Sequence, residues 1–187
     1  MKFSNALQAF TLAIAGLAQA LPDGWYEGTT LSNGTMEAKP LGASDTKLFT
    51  IEPSADWERS VSERSVDGGE PISRLGRRST SCWGSALDRA GTDAAVSAWK
   101  NKVGPTGAFA LRSGSNPKAI WFIRRGVKVY YCINAPNSSG SLDLVDFNHA
   151  LKQMDTACPR YTAGYFRWDG SVEIFGKAAE NVPICRG

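Results

Sequence analysis

The last 109 residues of this 187-residue chain predict an α+β fold: a mostly antiparallel sheet with two helices packed on one face, stapled by two disulfides. Three observations carry that expectation. All four cysteines, Cys82, Cys132, Cys158 and Cys185, lie in this part, widely spaced and with no C-x-x-C pair. Two stretches have apolar residues at helical spacing. At least five short runs rich in β-branched and aromatic residues are joined by turn signals. Helices and strands in that mixture, without a regular βαβ alternation, predict layers of helix on antiparallel sheet.

Residues 1–20 combine a basic start at Lys2, an apolar run and the small-x-small ending Ala18-Gln19-Ala20, the pattern of a secretory signal peptide. The run is shorter than the roughly 18 apolar residues a membrane helix needs, so a secreted, extracellular product without a membrane span is expected. Residues 21–78 hold ten acidic and seven basic residues, a net charge of −3, and no cysteine. Their apolar residues are scattered, only 47–51 reads as a short strand, and the segment is expected to be a largely irregular propeptide. It ends on Arg74-Leu75-Gly76-Arg77-Arg78, where the cysteine-bearing part begins. Arg77 and Arg78 present two adjacent guanidinium groups to the acidic pockets of a dibasic processing protease of the secretory pathway. Arg124-Arg125, inside an apolar strand pattern, is not read that way. Residues 79–187 carry 13 Lys plus Arg against 8 Asp plus Glu, a net +5, so an acidic leader could clamp a basic product electrostatically.

In the mature part, Thr92 is a candidate cap for a helix over 93–102 whose apolar residues include Ala95, Val96 and Trp99; Gly104-Pro105 stops it. Residues 107–112 read as a strand. Residues 119–124 and 127–133 form a candidate hairpin around Arg125-Gly126, and 134–140 a loop exposed by Pro136. A second helix over 143–158 is capped by Asp143, with Leu144, Phe147, Leu151, Met154 and Cys158 on one stripe. Strands over 162–168 and 171–176 meet at Asp169-Gly170. Asn33 and Asn137 head glycosylation sequons. Four cysteines in an exported chain predict two disulfides; of three connectivities, Cys82 with Cys158 and Cys132 with Cys185 is the expected one, each crosslink contributing on the order of 2–5 kcal/mol.

Chemistry is sparse. His149, the one histidine, falls about 180° from the helix stripe at about 100° per residue and is expected to face solvent, so no catalytic residue is assigned. With the cysteines paired, too few nitrogen and sulfur ligands remain for a metal, and no cofactor is expected. Asp143, Asp146 and Asp155 are explained by the helix and Asp169 by its turn. Asp88 and Glu173 remain as a carboxylate pair that no spacing brings together. Candidate binding residues are the aromatic and cationic ones on strands: Trp121, Arg124, Arg125, Tyr165, Arg167 and Trp168. A net +5 on an exported chain argues against nucleic acid as partner.

Ser81-Cys82-Trp83-Gly84, Val129-Tyr130-Tyr131-Cys132, Met154-Asp155-Thr156-Ala157-Cys158 and Gly164-Tyr165-Phe166-Arg167-Trp168 before a terminal cysteine resemble the small secreted cysteine-stapled proteins of filamentous fungi. Over residues 82–185 the order of elements is similar to the α/β-sandwich killer toxins of smut-fungus viruses, and the leader resembles propeptides removed by kexin. The resemblance implies an antimicrobial toxin or host-directed virulence effector. The expectation is thus a non-enzymatic, monomeric, toxin-like effector, released by cleavage after Arg78, that binds a host or competitor surface component. The alternative is a small secreted hydrolase of cell-wall polysaccharide. No repeats or Ser/Thr-rich stalks favour an adhesive wall protein.

Overall fold

A computed structural model describes residues 21–43, 48–53, 79–105 and 107–185. Among the described residues ten strands and two helices run in the order β1 Gly24–Thr30, β2 Met36–Pro40, β3 Phe49–Ile51, β4 Ser79–Ala86, α1 Arg89–Val103, β5 Ala108–Arg112, β6 Lys118–Arg124, β7 Val127–Ile133, β8 Ser139–Asp143, α2 Leu144–Ala157, β9 Thr162–Arg167 and β10 Glu173–Ala179. Eight strands form one sheet in the order β3-β2-β1-β6-β7-β10-β9-β4, and β5 and β8 pair separately. Every pairing is antiparallel.

The centre of the sheet is the β6–β7 hairpin. Arg124 pairs with Val127, and Arg125 (φ 50°) and Gly126 (φ 74°) both take the left-handed conformation that a two-residue turn requires when it matches the twist of its strands. All seven residues of β7 are buried, as in a strand covered on both faces. Alternate residues divide between two cores. One holds Ile120, Val129, Tyr131, Ile133, Phe166 and Phe175 together with Ala95 and Trp99 of α1 and Phe147, Ala150 and Met154 of α2. Trp99 donates its indole N–H to the Val129 carbonyl at 2.7 Å, so a buried polar group is satisfied where α1 meets the sheet. The other core holds Trp121, Tyr130, Cys132, Ile174 and Ala178 with Tyr26, Met36, Ala38 and Ile51. The two cores take Trp121 and Tyr130 on one face and Tyr131 on the other, all buried, while Phe122 is half-buried against the first core.

The second core draws on the leader. Among its described residues, 21–43 and 48–53, β1 and β2 extend the sheet beside β3, which falls within the strand expected over 47–51, and β1 pairs with β6 over six residues. The scattered apolar residues looked insufficient because β1 and β2 bury only alternate positions and β1 finds its partner, β6, from 89 (Thr29↔Lys118) to 99 (Gly24↔Ile123) residues downstream. Trp121 lies over Gly28, where an added Cβ would stand 2.8 Å from the indole ring, and Tyr26 stacks on the same indole with centroids 6.0 Å apart. Arg77 and Arg78 lie outside the described residues.

Helix α1 begins at Arg89, four residues earlier than its apolar spacing predicted, because Asp88 rather than Thr92 is the cap: its carboxylate accepts from Gly91 N–H at 2.7 Å. Gly91 hides this start by interrupting the apolar pattern; its Cβ would stand 2.6 Å from the Arg124 carbonyl oxygen. Helix α2 is capped by Asp143 as expected, accepting from Asp146 N–H at 2.8 Å. Cys158 at its end bonds Cys82 of β4, and Cys132 of β7 bonds Cys185, the expected pairing, with Cα separations of 5.8 and 5.7 Å. Part of the expected loop over 134–140 belongs to β8, whose Ser- and Gly-rich sequence has weak strand propensity and is held by β5. Among the described residues no helix is long and apolar enough to cross a membrane.

Candidate functional site

Polar side chains converge where the end of β7, the strand β8, the first turn of α2 and the β9–β10 loop meet. Glu173 opens β10 opposite Ile133. Its Oε1 accepts from the Tyr131 hydroxyl and from Ser141 N–H (2.9 Å), and its Oε2 accepts from the Ser171 hydroxyl at 2.8 Å. The approach to Ser141 exists because residue 140 is glycine: a Cβ there would collide with the Glu173 carboxylate. Burial, then the hydrogen bond and charge of Glu173, push the Tyr131 hydroxyl far above its usual range, so it remains a donor.

Asp146 faces the same space from the first turn of α2. Burial raises its carboxyl, helped by the charges of Asp143 and Glu173 and opposed by a hydrogen bond from Trp168 and by His149. Arg112, Ser139, Ser141, Asp146 and Glu173 line a cleft of about 650 Å³. Arg112 also lines a second cavity of about 330 Å³, whose other walls include Glu27, Glu37 and Lys39 of β1 and β2 and Lys118 of β6. The two cavities therefore share Arg112 in their walls.

The residues expected to bind are not brought together. Trp121 is wholly buried and belongs to the core rather than to a contact surface. Arg124 and Arg125 stand at the β6–β7 turn, paired with Asp23 (3.2 Å) and Asp88 (3.6 Å) respectively. Tyr165 and Arg167 are half-buried on β9, Tyr165 edge-on to Trp83, and two strands, β7 and β10, separate them from β6. Of the six, Trp168 alone reaches the cleft, through Asp146, with its ring 5.1 Å from Phe166.

His149 does not face open solvent. Its ring lies edge-on 5.4 Å from Phe166, because the flank of α2 that carries Asp146 and His149 packs toward β9. Asp88 and Glu173 lie at opposite ends of β7, on the order of 20 Å apart at about 3.3 Å per residue, and form no pair. Glu173 has Asp146 for a neighbour instead, a partnership hidden because Asp146 also satisfies a helix-capping pattern. Tyr131, Ser141, Ser171 and Arg112 gave no signal of their own; Gly140 between two serines was the available clue. Asn33 and Asn137 are both exposed. Among the described residues no group of three or more His, Cys, Asp or Glu is placed to hold a metal ion. No protein-family description, no curated protein and no solved structure matches this chain.

Proposed function

We propose that this protein is a secreted, non-enzymatic effector or toxin-like protein that binds a hydroxyl-rich surface polymer, a cell-wall polysaccharide of a host or competitor, along the groove through Arg112. The supporting observation is the state of Glu173. A carboxylate offers about four lone-pair sites, and three are occupied by Tyr131, Ser141 and Ser171. A group so engaged fixes β7, β8 and the β9–β10 loop in place; it is poorly suited to attack or to accept a proton from water. Arg112, Ser139 and Asp146 remain as donors and acceptors toward a ligand with adjacent hydroxyls. Two cavities sharing one residue suit a chain of sugar units better than a single small molecule.

Export, cleavage after Arg78 and action outside the cell belong to the same proposal. Sedimentation with insoluble wall polysaccharides tests it: the protein is expected to pellet with at least one glucan or chitin fraction and R112A to remain in the supernatant. Equal recovery of both proteins in every fraction would contradict the proposal.

A second reading, a polysaccharide hydrolase, is favoured by one observation: Asp146, with a raised pKa, and Glu173 share the cleft. New reducing ends, released by the protein and lost in D146N, would establish that reading in place of the first.

A further inference from the structure

We infer that the leader is not discarded: after cleavage at Arg78, residues 21–53 stay bound to residues 79–187 as a second, non-covalent chain that completes the sheet and walls half of the groove. This two-chain state rests on the processing step of the proposed function. Hydrolysis of the Arg78–Ser79 peptide bond by a dibasic protease adds one water and leaves a carboxylate on Arg78 and an amine on Ser79. Nothing covalent then joins the parts, because no cysteine precedes Cys82.

The two parts are held together through the middle of the sheet. Strand β1 occupies one side of β6 and β7 the other, so loss of β1 would turn a central strand into an open edge. The wholly buried Trp121 would lose Tyr26 and the backbone at Gly28 that cover it. Met36 and Ala38, both without exposed surface, would leave the second core. Trp25 would leave Trp99 and Phe122, whose centroids lie 5.0 and 5.2 Å away.

Polar contacts point the same way. Glu27 pairs with Lys118 at 2.9 Å and Asp23 with Arg124 at 3.2 Å, acidic leader on basic product. The Asp23 carboxylate also accepts from Arg125 N–H at the turn (2.8 Å), and the Thr30 hydroxyl donates to the Ile184 carbonyl at 3.0 Å. These contacts reach β6, its turn and the carboxyl-terminal segment that Cys185 ties to β7. A leader serving only as a temporary restraint need not supply a central strand's partner.

The test uses the full secreted chain with a site for a sequence-specific protease placed within 60–70, cut to completion. Gel filtration is expected to give one peak at the size of the uncut protein, with both chains in equal amount. Denaturing electrophoresis without reductant separates them. A leader that elutes apart from the remaining chain overturns the inference, whether or not that remainder stays folded. Mass spectrometry of the unmodified secreted protein tests cleavage separately: absence of an amino terminus at Ser79 sinks the processing step alone, since the engineered cut still decides whether the leader is held.

Discussion

Lys128 carries its amino group into the second core, where its side chain is wholly buried. Its Nζ donates to the Glu180 carbonyl at 3.0 Å and lies 5.7 Å from the centroid of the Trp121 ring. Burial lowers its pKa from 10.5 to about 7, with Glu180 opposing. In the unfolded chain the same lysine titrates near about 10.4. Between those values the unfolded state binds a proton that the folded state does not, so stability rises with pH from about 7 toward 10. The drop from 10.5 to about 7 amounts to about 5 kcal/mol in total, with a limiting slope of about 1.4 kcal/mol per pH unit. Lys128→Met removes the titrating group while keeping an unbranched apolar stem. Guanidinium denaturation at pH 7, 8 and 9 should show that slope in the parent and a nearly flat profile in K128M, with the variant more stable at pH 7. Parallel profiles for the two proteins would refute the claim that burial of this amine sets the slope.

Other perturbations act on single contacts. Asp155→Ala leaves the nearly buried Lys177 ammonium with only the Arg160 carbonyl, since both accept from it at 2.7 Å; a loss of about 3 kcal/mol is expected in chemical denaturation. Replacing Cys132 and Cys185 together by Ala opens a crosslink of sequence separation 53 and should cost about 4 kcal/mol, read as a lowered Tm. Gly176→Ala forces the Tyr130 ring aside in a filled core and should cost about 1–3 kcal/mol without changing the disulfides. Asp146, whose carboxyl is raised, protonates at higher pH than an ordinary aspartate, so binding that uses its charge should fall as acidity increases through that range and should lose this dependence in D146N.

Local signals were legible where one short segment decides the structure. Arg125-Gly126 dictated its turn and Asp143 its cap. Of the disulfides, the inward aim of Cys158 was legible from its place on the stripe, whereas the choice among three connectivities was not fixed by any local signal, although the expected pairing is the one observed. What failed depended on distant residues. Strands β1 and β2 looked unstructured because their partners are β6 and one another, whereas β3 lay inside the stretch 47–51 that did read as a strand; Trp121 looked like a contact residue because the strand that covers it is in the leader. The cleft was hidden for a related reason: Glu173, Ser141 and Asp146 come from three elements, Asp146 was accounted for by its helix, and no spacing linked Glu173 to either of the others.

The claim that the groove binds polymer without breaking it is tested most directly by titration calorimetry with soluble fragments of a sedimenting polysaccharide, followed by mass analysis of the recovered ligand. Saturable heat, lost in R112A, with ligand recovered at its original length, is the predicted result. Shortened fragments, or heat unchanged in R112A, would contradict it.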